Sequence, residues 1–93
     1  MRTSSWFKAL LAATCLLGSS LALADEEFYG VIEQRPQTNL GMWVIAGQQI
    51  EVTKKTELES EHGPLAVGAC VEVEHKKNVA EEIESVKPEK CSK

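Results

Sequence analysis

The chain has 93 residues, 43% apolar and 26% charged, with two Trp, one Tyr and two Phe, enough for one small domain and no second. No internal repeat or low-complexity tract interrupts it, and no apolar stretch is long enough for a permanent membrane span. A formal charge of −4 speaks against nucleic-acid binding, where Lys and Arg must meet phosphate.

The segment from Met1 to Ala24 reads as an address. Arg2 and Lys8 carry the only charges before Asp25, and Ala9 to Leu17 is apolar apart from Thr14. Gly18-Ser19-Ser20 breaks the run, and Ala22-Leu23-Ala24 is a small-x-small triplet. A basic start, an apolar centre and small residues at the −3 and −1 positions define a secretory signal peptide cut after Ala24. A retained anchor is the rival reading. Ala9 to Leu23 would reach about 22 Å as a helix against roughly 30 Å of hydrocarbon, too short to span comfortably. Lipidation of Cys15 is disfavoured by Thr14 before it and by the apolar run that continues past it. Removing 24 of the 93 residues leaves 69, with eight basic and fourteen acidic side chains and a formal charge of −6.

Cys15 leaves with that segment, so Cys70 and Cys91 remain. An even pair in an exported chain predicts a disulfide, closing a loop for which the chain-entropy model gives about 3 kcal/mol. A free thiol pair for redox or metal work is the alternative, but nothing resembles Cys-x-x-Cys. So small a core is marginal without such help.

In chain order, Phe28 to Arg35 is aromatic and β-branched and predicts a first strand, followed by a loop at Pro36-Gln37-Thr38-Asn39 and closed by Gly41. Met42 to Ala46 is a short apolar run that predicts a second strand. Gly47 and Gln48 connect it tightly to a third at Gln49 to Thr53, where Ile50 and Val52 alternate with polar groups. Lys54-Lys55 turns the chain. Thr56 to His62 is ambiguous: alternation of Glu57, Glu59 and Glu61 with Leu58 and Ser60 favours an extended run, while the glutamates would tolerate a short helix. After Gly63-Pro64, Ala69 to His75 is the clearest half-buried strand, with Val71 and Val73 inward and Cys70, Glu72 and Glu74 outward. Lys76-Lys77-Asn78 is a turn. Val79 to Val86 is the last strand, with Ile83 its surest core residue, and Pro88 ends it.

Five short strands joined by tight turns predict a small all-β, antiparallel sheet curled into an OB-like or SH3-like barrel, which hides the two edges an open sheet would leave. Gly30 and Gly68 mark places where a tightly curved sheet needs no side chain. Gly30-Val31-Ile32, Met42-Trp43-Val44-Ile45, Ile50-Glu51-Val52, Thr56 and the run Gly63-Pro64-Leu65-Ala66-Val67-Gly68-Ala69-Cys70-Val71-Glu72-Val73 together resemble a bacterial exported family of small OB-like barrels, known only as a domain of unknown function. The resemblance spans about Phe28 to Val86. It implies a fold and an export route, and it carries no catalytic residues.

Chemistry is sparse. A serine nucleophile needs a histidine within hydrogen-bond reach. His62 sits beside Gly63-Pro64 as a turn residue, His75 ends a strand beside two lysines as a solvent-facing one, and Ser60, Ser85 and Ser92 lie in no strained turn. A small hydrolase is therefore the weakest alternative. Periplasmic copper chaperones with a five-stranded OB fold are similar in size, and soft copper sites use Met and His. Here Met42 is the one Met after the leader. It lies next to Trp43, so the two point to opposite faces, and Cys70 and His75 fall on opposite faces of a regular strand. Metal handling survives as an alternative only through convergence of Met42 with His62 or His75. Glu57, Glu59 and Glu61 lack the looped oxygen ligands calcium needs and read as a solvated acidic edge.

The expectation is a non-enzymatic, exported binding or interaction module with no cofactor, no nucleic-acid partner and no membrane insertion after cleavage. Its partner would be a protein or a small ligand. The candidate ligand face is Trp43 and Met42 with Gln37 and Asn39 of the loop, since OB barrels often bind across strands 2 and 3. A lone Trp in an apolar run is, however, more often core.

Overall fold

A computed structural model describes residues 25–92; the expected leader and its cleavage site lie outside them. The described chain is all-β. It holds strands β1 (Glu26–Gln34), β2 (Gly41–Ile45), β3 (Gln48–Val52), β4 (Glu57–Glu59), β5 (Cys70–Lys76) and β6 (Val79–Ser85), then a single 3-10 turn at Pro88–Lys90.

The six strands form one sheet in the order β3-β2-β1-β5-β6-β4, and β3 also pairs with β6. Neighbours from β3 round to β6 are antiparallel. The contacts of β6 with β3 and β4 are parallel, Glu51 opposing Val79 and Glu57–Glu59 opposing Glu82–Glu84. β3 and β4 thus behave as one strand broken by a turn, the two pieces sharing an edge of β6. The hydroxyl of Thr56 holds that break together: it accepts from the Thr53 N–H at 3.0 Å and donates to the Ala80 carbonyl at 2.8 Å. The ambiguous glutamate segment is therefore a sixth strand, shorter than its alternation suggests because Ser60 to Gly63 turns away.

Alternation decides what is buried. Ile32, Trp43, Ile45, Ile50, Val52, Val71, Val73, Ala80 and Ile83 make the core, with Phe28, Leu58, Leu65 and Ala69 packed against it. Gly30 owes its identity to space: a Cβ built there would lie 2.6 Å from the Cβ of Ala46 in the β2–β3 turn. Gly68 owes its own to conformation, with φ of 97° and open space around it.

One expectation about orientation is corrected. His75 is not solvent-facing but only 6% exposed: it continues the inward series Val71, Val73, while Lys76, the exposed last residue of β5, and Lys77, in the turn, follow it. Its Nδ1 bonds the Lys77 carbonyl, and its ring meets Phe28 edge-on at 5.4 Å. Cys70 keeps the outward face expected of it, in line with Glu72 and Glu74, and is buried there because its bond to Cys91 brings the C-terminal tail across it.

Candidate functional site

Trp43 is 0% exposed, which corrects its place on a ligand face. Its indole N–H donates to the Asn39 carbonyl at 2.9 Å, and the Arg35 guanidinium lies 4.3 Å over its ring. That same guanidinium donates to the carbonyls of Leu65 and Thr38 and to Asn39 Oδ1. Arg35 thereby ties the Pro36–Leu40 loop to the Leu65 segment, and the Asn39 side chain is used internally. Gln37 and Met42 are exposed, Met42 on the outer face as strand alternation requires. What remains of the expected face is Met42 and Gln37, without an aromatic platform. Arg35 is absent from the sequence-based candidates. Its one signal is that of the single arginine among residues 25–93, closing a strand just before Pro36 in a stretch otherwise supplied with lysine.

A different feature forms where the strand ends meet the tail. A groove of about 500 Å³ opens between the segment from His62 to Cys70, the end of β6 and the tail. Val31, Pro64, Val67 and Ala69 line it together with the Cys70–Cys91 bridge, and no Asp, Glu, Lys or Arg among the described residues does. Val67 is 63% exposed, a large apolar side chain left in solvent at its rim. Ser85 also lines it, is itself buried, and accepts a hydrogen bond from the His62 backbone N–H at 2.9 Å. Positions lined mostly by apolar groups with a few polar ones are where small ligands and peptide side chains bind.

The groove brings Ser85 and His62 together, but through the histidine's backbone. Among the described residues no histidine ring nitrogen bonds a serine hydroxyl, and His62 is exposed in a turn while His75 is buried on the core side. The copper alternative needs Met42 to meet His62 or His75; Met42 faces outward and His75 inward, and Cys70 and Cys91 are consumed by the bridge.

Beside the groove, the outer face of β1, β5, β6 and β4 carries carboxylates in register. Glu27 opposes Glu74, Glu74 opposes Glu82, and Glu82 opposes Glu57; in the next row Tyr29 opposes Glu72, then come Glu84 and Glu59. Oxygens of Glu27, Glu72 and Glu74 come within 4.8 Å of one another, as do those of Glu57, Glu59 and Glu82. Glu57 and Glu59 gather with Glu82, not with Glu61, which lies in a turn. Such all-oxygen sets suit hard cations and not copper. Burial first, then the neighbouring Glu27 carboxylate, raises the Glu72 carboxyl above the usual carboxylate range; burial and Glu27 likewise raise Glu74, and burial and Glu59 raise Glu82.

The fold and its surface define an all-β protein with an uncharged groove set beside an acidic face. A family model described as "Domain of unknown function (DUF5666)" matches residues 29–84, and the chain belongs to that family. No curated protein and no solved structure matches the chain.

Proposed function

We propose that this is an exported, non-enzymatic binding module whose ligand lodges in the groove beside the Cys70–Cys91 bridge. The carrying observation is that groove: about 500 Å³, uncharged, with Val31 and Val67 exposed along it. Export is supported by the form of the Met1 to Ala24 segment and by a disulfide, which persists in oxidising compartments. An OB-like barrel is supported by the strand order. Taken without the short β4, the pairings run β3-β2-β1-β5-β6 and return to β3 through a parallel contact, the arrangement of a five-stranded Greek-key barrel. The absence of a Ser–His side-chain pair among the described residues weighs against hydrolysis.

Two measurements test this. Intact mass of the protein recovered from a bacterial periplasm should correspond to a chain beginning at Asp25 with two hydrogens lost to the bridge. The neutral apolar fluorophore N-phenyl-1-naphthylamine should bind, and amide shifts in a ¹⁵N spectrum should concentrate at Val31, Ala66 to Cys70 and Ser85 to Ser92. Val67→Asp, at an exposed position that leaves the core untouched, should abolish the uptake. Shifts centred on Met42 and Gln37 instead, or no uptake at all, would overturn the groove as the site.

A further inference from the structure

The groove does not end in neutral surface. Val31 and Cys70 are cross-strand partners that line it; the next pair along the same face is Tyr29 with Glu72, and the next is Glu27 with Glu74. Same-face positions on a strand lie about 6.8 Å apart, which is also the spacing of residues i and i+2 in any extended chain. An extended segment laid along β1 and β5 can therefore place one side chain in the groove and the next same-side one at Tyr29 and Glu72.

The protein's own tail shows what that second position accepts. Lys90 Nζ stands 5.8 Å from the centroid of the Tyr29 ring, within the range of a cation–π contact, and its charge counters the crowding of carboxylates at Glu72. Anions are repelled by the glutamates in register on this face, and a bare metal ion would make no use of the apolar half.

We propose that the groove binds an extended peptide segment carrying an apolar residue followed two positions later by lysine or arginine. The apolar side chain packs on Val31, Val67 and the disulfide, and the cation lies over Tyr29 beside Glu72, displacing Lys90. This rests on the groove reading and adds the chemistry of its ligand.

Three synthetic peptides in one Gly/Ser frame, bearing Ile-Ser-Lys, Ile-Ser-Glu or Ser-Ser-Lys, are titrated into the ¹⁵N-labelled, disulfide-bonded protein at low salt. Ile-Ser-Lys should bind about tenfold more tightly than either control, as two weak surface pairs or one buried aliphatic side chain would give. Raising the salt should erase the advantage over Ile-Ser-Glu and keep that over Ser-Ser-Lys. Lys90→Ala should tighten Ile-Ser-Lys alone, and Glu72→Gln should halve its preference or more. Equal affinity for Ile-Ser-Lys and Ile-Ser-Glu, or for Ile-Ser-Lys and Ser-Ser-Lys, overturns the proposal. The neutral fluorophore separates the two readings: uptake of the dye without any peptide preference refutes the ligand class alone, and failure of dye and peptides together refutes the groove as well.

Discussion

Gly30→Ala is the most informative single change to the fold. Its new Cβ would lie 2.6 Å from the Cβ of Ala46 and 3.3 Å from Ile45 Cγ2. The first contact is far inside van der Waals separation, and neither partner is a flexible side-chain end: one belongs to a tight turn, the other to a strand. Overpacking of this kind costs about 1–3 kcal/mol, offset by about 0.5 kcal/mol because alanine loses less freedom on folding. Ala46 itself has φ of 52°, a conformation costing a non-glycine residue about 1 kcal/mol. Ala46→Gly therefore removes the obstructing methyl and relieves that backbone at once. In an Ala46→Gly background the Ile45 contact is the closest side-chain approach left, so Gly30→Ala should become nearly neutral. Urea unfolding of the parent, both single variants and the double variant gives a coupling free energy, expected at about 1–2 kcal/mol. Additive effects would show that Gly30 is not held by contact with the β2–β3 turn, and the packing argument would fail.

Other outcomes follow from the same geometry. Arg35→Ala removes several carbonyl hydrogen bonds and the cover over Trp43; it should cost about 2 kcal/mol in urea unfolding, and Arg35→Lys should recover less than half, because an ammonium lacks the planar fork. A loss no larger than that of an ordinary surface substitution, about 0.5 kcal/mol, would refute the bracing role. The folded-state carboxyls of Glu72, Glu74 and Glu82 are raised, so their contribution to stability is full below the unfolded carboxylate pKa and is lost as pH rises through the folded values. Melting temperature should accordingly climb as pH falls from neutral toward the ordinary carboxylate range. A variant with Gln at all three positions should melt higher at neutral pH and show a flatter profile; parallel profiles would remove the acidic rows as the cause.

The fold is largely legible because alternation is a strong signal when one face of each strand is buried. Ile50 with Val52 and Val71 with Val73 mark their strands, and the cysteines mark their bridge. Misreadings arise where a residue is judged by its neighbours instead of its place in the alternation. Lys76 and Lys77 suggest solvent for His75, yet it is two residues from Val73 and points the same way. Trp43 admits two readings, and its burial depends on Arg35 and Asn39, which reach it only in the folded chain. The groove is not legible at all. It is assembled from β1, the His62–Cys70 segment and a tail brought back by the disulfide, and no local pattern encodes that meeting. The acidic rows are half legible: Glu57 and Glu59 are visible as an edge, but Glu82 becomes their neighbour only through a parallel pairing of distant segments.

That tail links the bridge to the acidic face, and the link makes the disulfide's contribution depend on pH. Cross-strand carboxylates in register oppose folding, and the tail delivers Lys90 to the row that holds Glu72. Within the 3-10 turn no residue is buried, so the Cys70–Cys91 bond is the principal tie holding Lys90 there. Breaking it with Cys91→Ser should cost about 3 kcal/mol from loop closure at any pH. At neutral pH the variant also loses a cation from a face of ionised glutamates, while as pH falls toward the ordinary carboxylate range the raised carboxyls take up protons ahead of ordinary ones and lose less by its departure. The difference in melting temperature between parent and Cys91→Ser should therefore be larger at neutral pH than in mild acid. An identical difference at both would mean that the bridge acts on the unfolded chain alone, and that Lys90 sits beside the acidic face without acting on it.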